Sequence, residues 1–122
     1  MNFSLFALTM LANVWTHVPS QEAWTPSAET MQTVQVSLEP TVRKAAERSR
    51  MDLPEWSEYE FRFQGRVVGG KRVVFIGATC WHPEDQPKDQ FMYVLDGGTC
   101  FFETTFDPET KSFSDIGFHG VG

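Results

Sequence analysis

The sequence predicts an α+β domain in which one N-terminal helix packs on a four- to five-stranded antiparallel β-meander. Three observations carry the prediction. An apolar stripe at helical spacing runs from Met31 to Ser49. Strand-like segments fill most of residues 57–118, punctuated by two Gly-Gly pairs and an Asp-Pro turn. The 122 residues are 41% apolar and 14% aromatic, enough for one domain with a real core and incompatible with a disordered chain.

The N-terminus differs from the rest. Residues 2–15 (NFSLFALTMLANVW) carry no charge and form a dense apolar run. It is shorter than the ~20 apolar residues needed to cross a bilayer and suits the apolar region of a leader, though no Lys or Arg precedes it. We expect a signal peptide over residues 1–23 and a single domain over 24–122. Secreted or periplasmic localisation follows, with no membrane span once the leader is removed. The alternative is a core helix or strand at the N-terminus.

Thr25 can cap a helix and Pro26 suits a first helical turn. Met31, Val34, Leu38, Val42, Ala45 and Ser49 then fall on one helical stripe, which Pro40 interrupts. Either one long helix kinks at Pro40, or residues 33–38 form a short strand before a helix over 38–50. Arg43, Lys44, Arg48 and Arg50 interleave with Glu39, Glu47 and Asp52, the pattern of a solvated face and not of a phosphate site. The net charge of −6 and the lack of a basic stripe argue against nucleic acid as a partner.

Leu53-Pro54 stops the helix, and segments 57–68, 71–80, 90–96, 99–107 and 112–118 read as five strands. Gly69-Gly70 and Gly97-Gly98 suit two-residue hairpin turns, and Asp107-Pro108-Glu109-Thr110 signals a type I turn. These turns imply a register: Phe63 opposite Ile76, Phe61 opposite Ala78, Leu95 opposite Cys100, Tyr93 opposite Phe102. One face then carries Tyr59, Phe61, Phe63, Val74, Ile76, Ala78, Cys80, Phe91, Tyr93, Leu95, Cys100 and Phe102, and is the expected core. The other mixes Glu60, Arg62, Gln64, Thr79, Met92, Glu103 and Thr105 with an apolar patch of Val73, Phe75, Val94 and Phe101. That patch is a candidate surface for a protein partner or a homodimer, or a seat for the N-terminal segment.

Two cysteines in a chain expected to be exported suggest a disulfide between Cys80 and Cys100. A simple meander, however, puts a strand between them, about 10 Å across the sheet and beyond the ~7 Å reach of a bridge. The bond requires Cys80 at a strand end with the chain curling over the sheet. Otherwise the two are buried thiols acting as small hydrophobes.

The densest polar cluster is the connection over residues 81–90 (WHPEDQPKDQ). Trp81, His82, Glu84 and Asp85 make it a candidate binding loop. His82, Glu84 and Asp85 are acid–base or metal-ligand types, with His119 as a distant addition, but the spacing matches neither HExxH nor a paired CxxC. A Pro-braced charged loop is the plainer reading. No Gly-rich phosphate loop joins a strand to a helix, no GxSxG occurs, and no Ser or Cys nucleophile has a base nearby in sequence. The sequence therefore assigns no catalytic residue, no metal ligand and no cofactor.

One helix followed by an antiparallel meander resembles the cystatin-like architecture. Gln64-Gly65-Arg66-Val67-Val68-Gly69 sits at the first hairpin, where cystatins carry Gln-x-Val-x-Gly, with one residue more between Gln and Val. The second hairpin holds Asp96-Gly97-Gly98 where cystatins carry Pro-Trp. The resemblance implies inhibition of papain-type proteases as an alternative function. The strand region is also similar to a group of bacterial exported proteins. The matching features are Ile76-Gly77-Ala78-Thr79-Cys80, Asp96-Gly97-Gly98 before Phe101-Phe102, Phe106-Asp107-Pro108-Glu109-Thr110-Lys111-Ser112-Phe113, and a Gly near Gly120. That likeness implies fold and export and brings no activity with it. The sequence thus favours a small exported binding or interaction domain, with a hydrolytic or metal-dependent enzyme using the 81–90 loop as the competing class.

Overall fold

The computed structural model describes residues 13–20, 24–84, 86–92 and 97–119. Ser27 starts the helix α1 (Ala28–Arg48), its Oγ accepting from the Thr30 amide at 3.1 Å. The helix runs unbroken through Pro40, with Met31, Val34, Leu38, Val42, Ala45 and Ala46 on its buried face. Residues 33–38 are therefore helical, and the short-strand alternative falls. Pro40 is tolerated because it lies on the exposed face. Val36, whose carbonyl loses the bond that the missing Pro40 N–H would make, is exposed as well. The helix ends where Arg50 takes a φ of 56° and the Met51 amide bonds back to the Ala46 carbonyl.

Among the described residues six strands form one sheet: β1 (Trp15–His17), β2 (Glu60–Val68), β3 (Lys71–Thr79), β4 (Phe101–Asp107), β5 (Ser112–Phe113) and β6 (Gly117–Phe118). They lie in the order β1-β2-β3-β4-β5, with β6 also on β4, and all pairs are antiparallel except β1 with β2. Gly69 and Gly70, at φ of 58° and 80°, make the two-residue turn between β2 and β3. They set Phe61 opposite Ala78 and Phe63 opposite Ile76, as the turn chemistry implies. Tyr59, Phe61, Val74, Ile76, Ala78, Phe102 and Phe106 meet Met31, Val34, Leu38 and Val42 of α1 in a single core. The fold is thus α+β, one helix packed on a mostly antiparallel sheet.

The sheet departs from the expected meander after β3. The described part of segment 90–96, residues 90–92, is irregular, and residues 93–96 lie outside the described residues. β3 pairs directly with β4, so Phe102 faces Ala78 and not Tyr93, and Phe101 faces Thr79. Pro83 and Pro87 cannot donate to a ladder, and Gly97-Gly98 leads into a 3-10 turn (Gly98–Cys100) instead of a hairpin. Phe91 consequently leaves the core face and packs edge-on against Phe75, with ring centroids 4.9 Å apart. The predicted last strand is split into β5 and β6.

The same rearrangement decides the cysteines. With no strand between β3 and β4, Cys80 and Cys100 directly follow and precede the Thr79–Phe101 pair. Their Cα atoms stand 5.0 Å apart and they form a disulfide. The 10 Å separation expected from a meander does not exist.

The N-terminal segment belongs to the sheet wherever it is described. Trp15 stacks on Phe61 at 4.3 Å between centroids. Asn13 Nδ2 donates to the carbonyls of Trp56 at 2.7 Å and Tyr59 at 3.0 Å, and Val18 is buried. Further on, Trp24 Nε1 donates to the Arg66 carbonyl at 3.0 Å. A Cβ on Gly65 would lie 1.9 Å from the Trp24 carbonyl oxygen, so the chain crosses β2 where only glycine fits. Cleavage after residue 23 would remove β1. Residues 1–12 and 21–23 lie outside the described residues. No helix among the described residues is long and apolar enough to cross a membrane.

Candidate functional site

Strand register puts one unusual row across the outer face of the sheet. Arg62 of β2 faces Gly77 of β3, Gly77 faces Glu103 of β4, and Glu103 faces Gly117 of β6. A row that alternates long charged side chains with glycine leaves a trough between its neighbours. Those neighbours are Gln64, Phe75 and Thr105 on one side, and Glu60, Thr79 and Phe101 on the other.

Two residues of the connection between the bridged Cys80 and Cys100, Phe91 and Met92, lie over this trough. Phe91 sits on Gly77: a Cβ added there would meet Phe91 Cδ1 at 3.1 Å. Met92 Sδ lies 3.7 Å from Thr79 Oγ1. Beneath them remains a cavity of about 200 Å³, lined by Arg62, Arg66, Phe75, Phe91, Phe101, Glu103 and His119 among others.

Its charged groups are unevenly satisfied. Arg62 is only 4% exposed, and its Nε has no hydrogen-bond partner among the described residues. Arg66 lies over Phe75, its guanidinium carbon 3.8 Å from the ring centroid, and its Nε donates to Gln64 Oε1 at 2.8 Å. Burial pulls the Arg66 pKa below the ordinary arginine value, and the Glu103 carboxylate opposes that shift. Glu103 itself is exposed, with its Oε2 4.0 Å from His119 Nε2. The His119 ring tilts against Phe101 at 6.1 Å.

The residues singled out from sequence distribute differently. Phe75 and Phe101 of the expected outer patch line the cavity, Val73 is half-buried, and Val94 lies outside the described residues. The patch is therefore not a bare docking face, because residues 91 and 92 lie over its centre. Trp81 is exposed, with its ring edge-on to Phe101 at 6.4 Å. His82 works as a clip: its Nε2 bonds the Glu58 carbonyl at 2.9 Å and its Nδ1 lies 3.1 Å from Glu60 Oε2. Lys88 reaches the other oxygen of Glu60 at 3.3 Å. Glu84 is exposed and Asp85 lies outside the described residues. No three His, Cys, Asp or Glu side chains gather as metal ligands among the described residues.

Arg62, Arg66, Gly77 and Phe91 are the site residues that the sequence reading did not single out. The signal for three of them was present, since the Gly69-Gly70 turn already places Arg62 opposite Gly77 and both arginines on the outer face. Phe91 carried none, because its place against Phe75 and Gly77 is a non-local contact. Comparison with protein-family models, with curated proteins and with solved structures finds no match for this chain, which leaves the cavity's own geometry as the guide to function.

Proposed function

We propose that the chain is a small exported binding domain that holds a small organic ligand in the outer-face cavity without transforming it. The observation that carries this reading is the roof of Phe91 over Gly77, which encloses aromatic walls and a few polar groups in one concave site. The competing enzyme reading loses its main residue, since both ring nitrogens of His82 are engaged in holding the loop to Glu58 and Glu60. The Cys80–Cys100 bond supports export, because disulfides persist in oxidising compartments. The likeness of the strand region to bacterial exported proteins points the same way.

A thermal-denaturation screen with small anionic, cationic and uncharged aromatic compounds tests the proposal. At least one compound should raise the melting temperature saturably, and Gly77→Val, which fills the space under Phe91, should abolish the effect. A rise that Gly77→Val retains would place binding elsewhere, and no rise with any compound would remove the ligand cavity as the basis of function.

A second reading, inhibition of a papain-type protease in the manner of the cystatins, draws on the tip of the β2–β3 hairpin. Val67 and Val68 are exposed there beside the Gly69-Gly70 turn, an apolar edge able to enter a cleft. Inhibition of papain that Val67→Asp removes would favour it. An absence of inhibition at high micromolar protein would exclude it.

A further inference from the structure

The class of ligand follows from the charges around the cavity, and the inference rests on the binding reading above. We infer that the cavity takes a small organic anion, a carboxylate on a compact aromatic or apolar body. Arg62 and Arg66 face the charge, and Phe75, Phe91 and Phe101 surround the body.

Arg62 is the first support. A guanidinium that is 4% exposed, with its Nε donor unpartnered among the described residues, is a costly arrangement, because burial strips its water and the bond at Nε is not replaced. The acid nearest in register, Glu103, is set beyond Gly77 and makes no ion pair with it among the described residues. An arriving carboxylate supplies the missing acceptor, in the planar geometry an arginine fork matches best.

The sign of the site is the second. Arg62 and Arg66 stand against Glu103 alone, so the cavity is locally cationic within a chain of net charge −6. A cation would meet two like charges under a low-dielectric roof, and an uncharged acceptor would give the Arg62 donor a weaker bond than a carboxylate does. The third is size. About 200 Å³ is somewhat more than the ~150 Å³ that accommodates a benzene ring in an apolar cavity, leaving room for one added carboxylate. Arg66, already stacked on Phe75, offers a further cationic face to a ring placed beside Phe91.

Calorimetric titration of the full, oxidised chain with benzoate, phenylacetate, benzyl alcohol and benzylamine decides the matter. The two carboxylates should bind at least about tenfold more tightly than benzyl alcohol, and benzylamine should not bind. Arg62→Met should weaken benzoate about tenfold more than it weakens benzyl alcohol, and Gly77→Val should abolish both. Should Arg62→Met fail to fold, Arg66→Leu replaces it with the same expectation, since Arg66 is only half-buried. If benzyl alcohol or benzylamine binds as tightly as benzoate, the anion assignment is wrong while the ligand cavity stands. If no probe binds, or Gly77→Val binds like the parent, both fall.

Discussion

Arg62 and Gly77 face each other across β2 and β3, and the absent side chain of Gly77 leaves the space that Phe91 occupies beside it. In the proposed binding reading the pairing trades stability for a site. A buried cation with an unpartnered donor costs about 1–3 kcal/mol, whereas its aliphatic stem packs as well as any apolar chain. Arg62→Met should therefore unfold in urea at the same or a higher concentration than the parent. A loss above about 2 kcal/mol would mean that Arg62 contributes to holding the sheet together as well.

The disulfide should matter for stability and for the site alike. It closes a loop between residues 20 apart in sequence, which limits the unfolded chain by about 3 kcal/mol in the chain-entropy account. Cys100→Ser should lose roughly that amount and, with the roof untied, most of its benzoate affinity. Denatured, unreduced protein should react with no thiol reagent, and two reactive thiols per chain would contradict the bond.

The N-terminal strand makes a prediction about processing. A chain lacking residues 1–20 loses the Trp15–Phe61 stack, the Asn13 hydrogen bonds and buried Val18 together. Its stability should fall by about 3 kcal/mol or more, on the scale of removing one packed tryptophan. It should also self-associate, because the edge of β2 is uncovered. An unchanged unfolding midpoint would show β1 to be dispensable and would favour a leader that extends over residues 1–23.

Asp107 predicts an acid-side dependence. The Glu109 amide donates to its Oδ1 at 2.9 Å and holds the carboxyl below its ordinary value near 3.8, with the Thr110 amide and Lys71 adding to the effect. A carboxyl whose folded pKa is depressed contributes stability above its unfolded pKa and loses it as pH falls through the folded one. Asp107→Ala should thus lose most relative to the parent at neutral pH, and the difference should shrink below about pH 4. A difference that is the same at pH 7 and pH 3 would rule out the charge as its source.

The helix and the first hairpin were legible because each follows from local chemistry. The stripe from Met31 to Ala45 needs one face buried whatever covers it, and Gly69-Gly70 fixes a register by its own backbone preference. Segment 90–96 misled for the converse reason. Its alternation of Phe91, Tyr93 and Leu95 is that of a strand, but alternation does not say whether a segment finds a ladder partner. β4 occupies the edge of β3 instead. From that one non-local choice come the short distance between Cys80 and Cys100, the outward placement of Phe91 and the enclosure of Arg62. The grip of His82 on Glu60 joins residues 22 apart in sequence, and no local pattern announces it.

The most direct measurement is the Arg62 Nε–H resonance in a nitrogen-resolved NMR spectrum during a benzoate titration, assigned with the Arg62→Met variant. The expected result is a saturable downfield shift that tracks the calorimetric binding curve, as a donor unpartnered among the described residues gains a carboxylate. An Arg62 signal unmoved at saturating benzoate would contradict it.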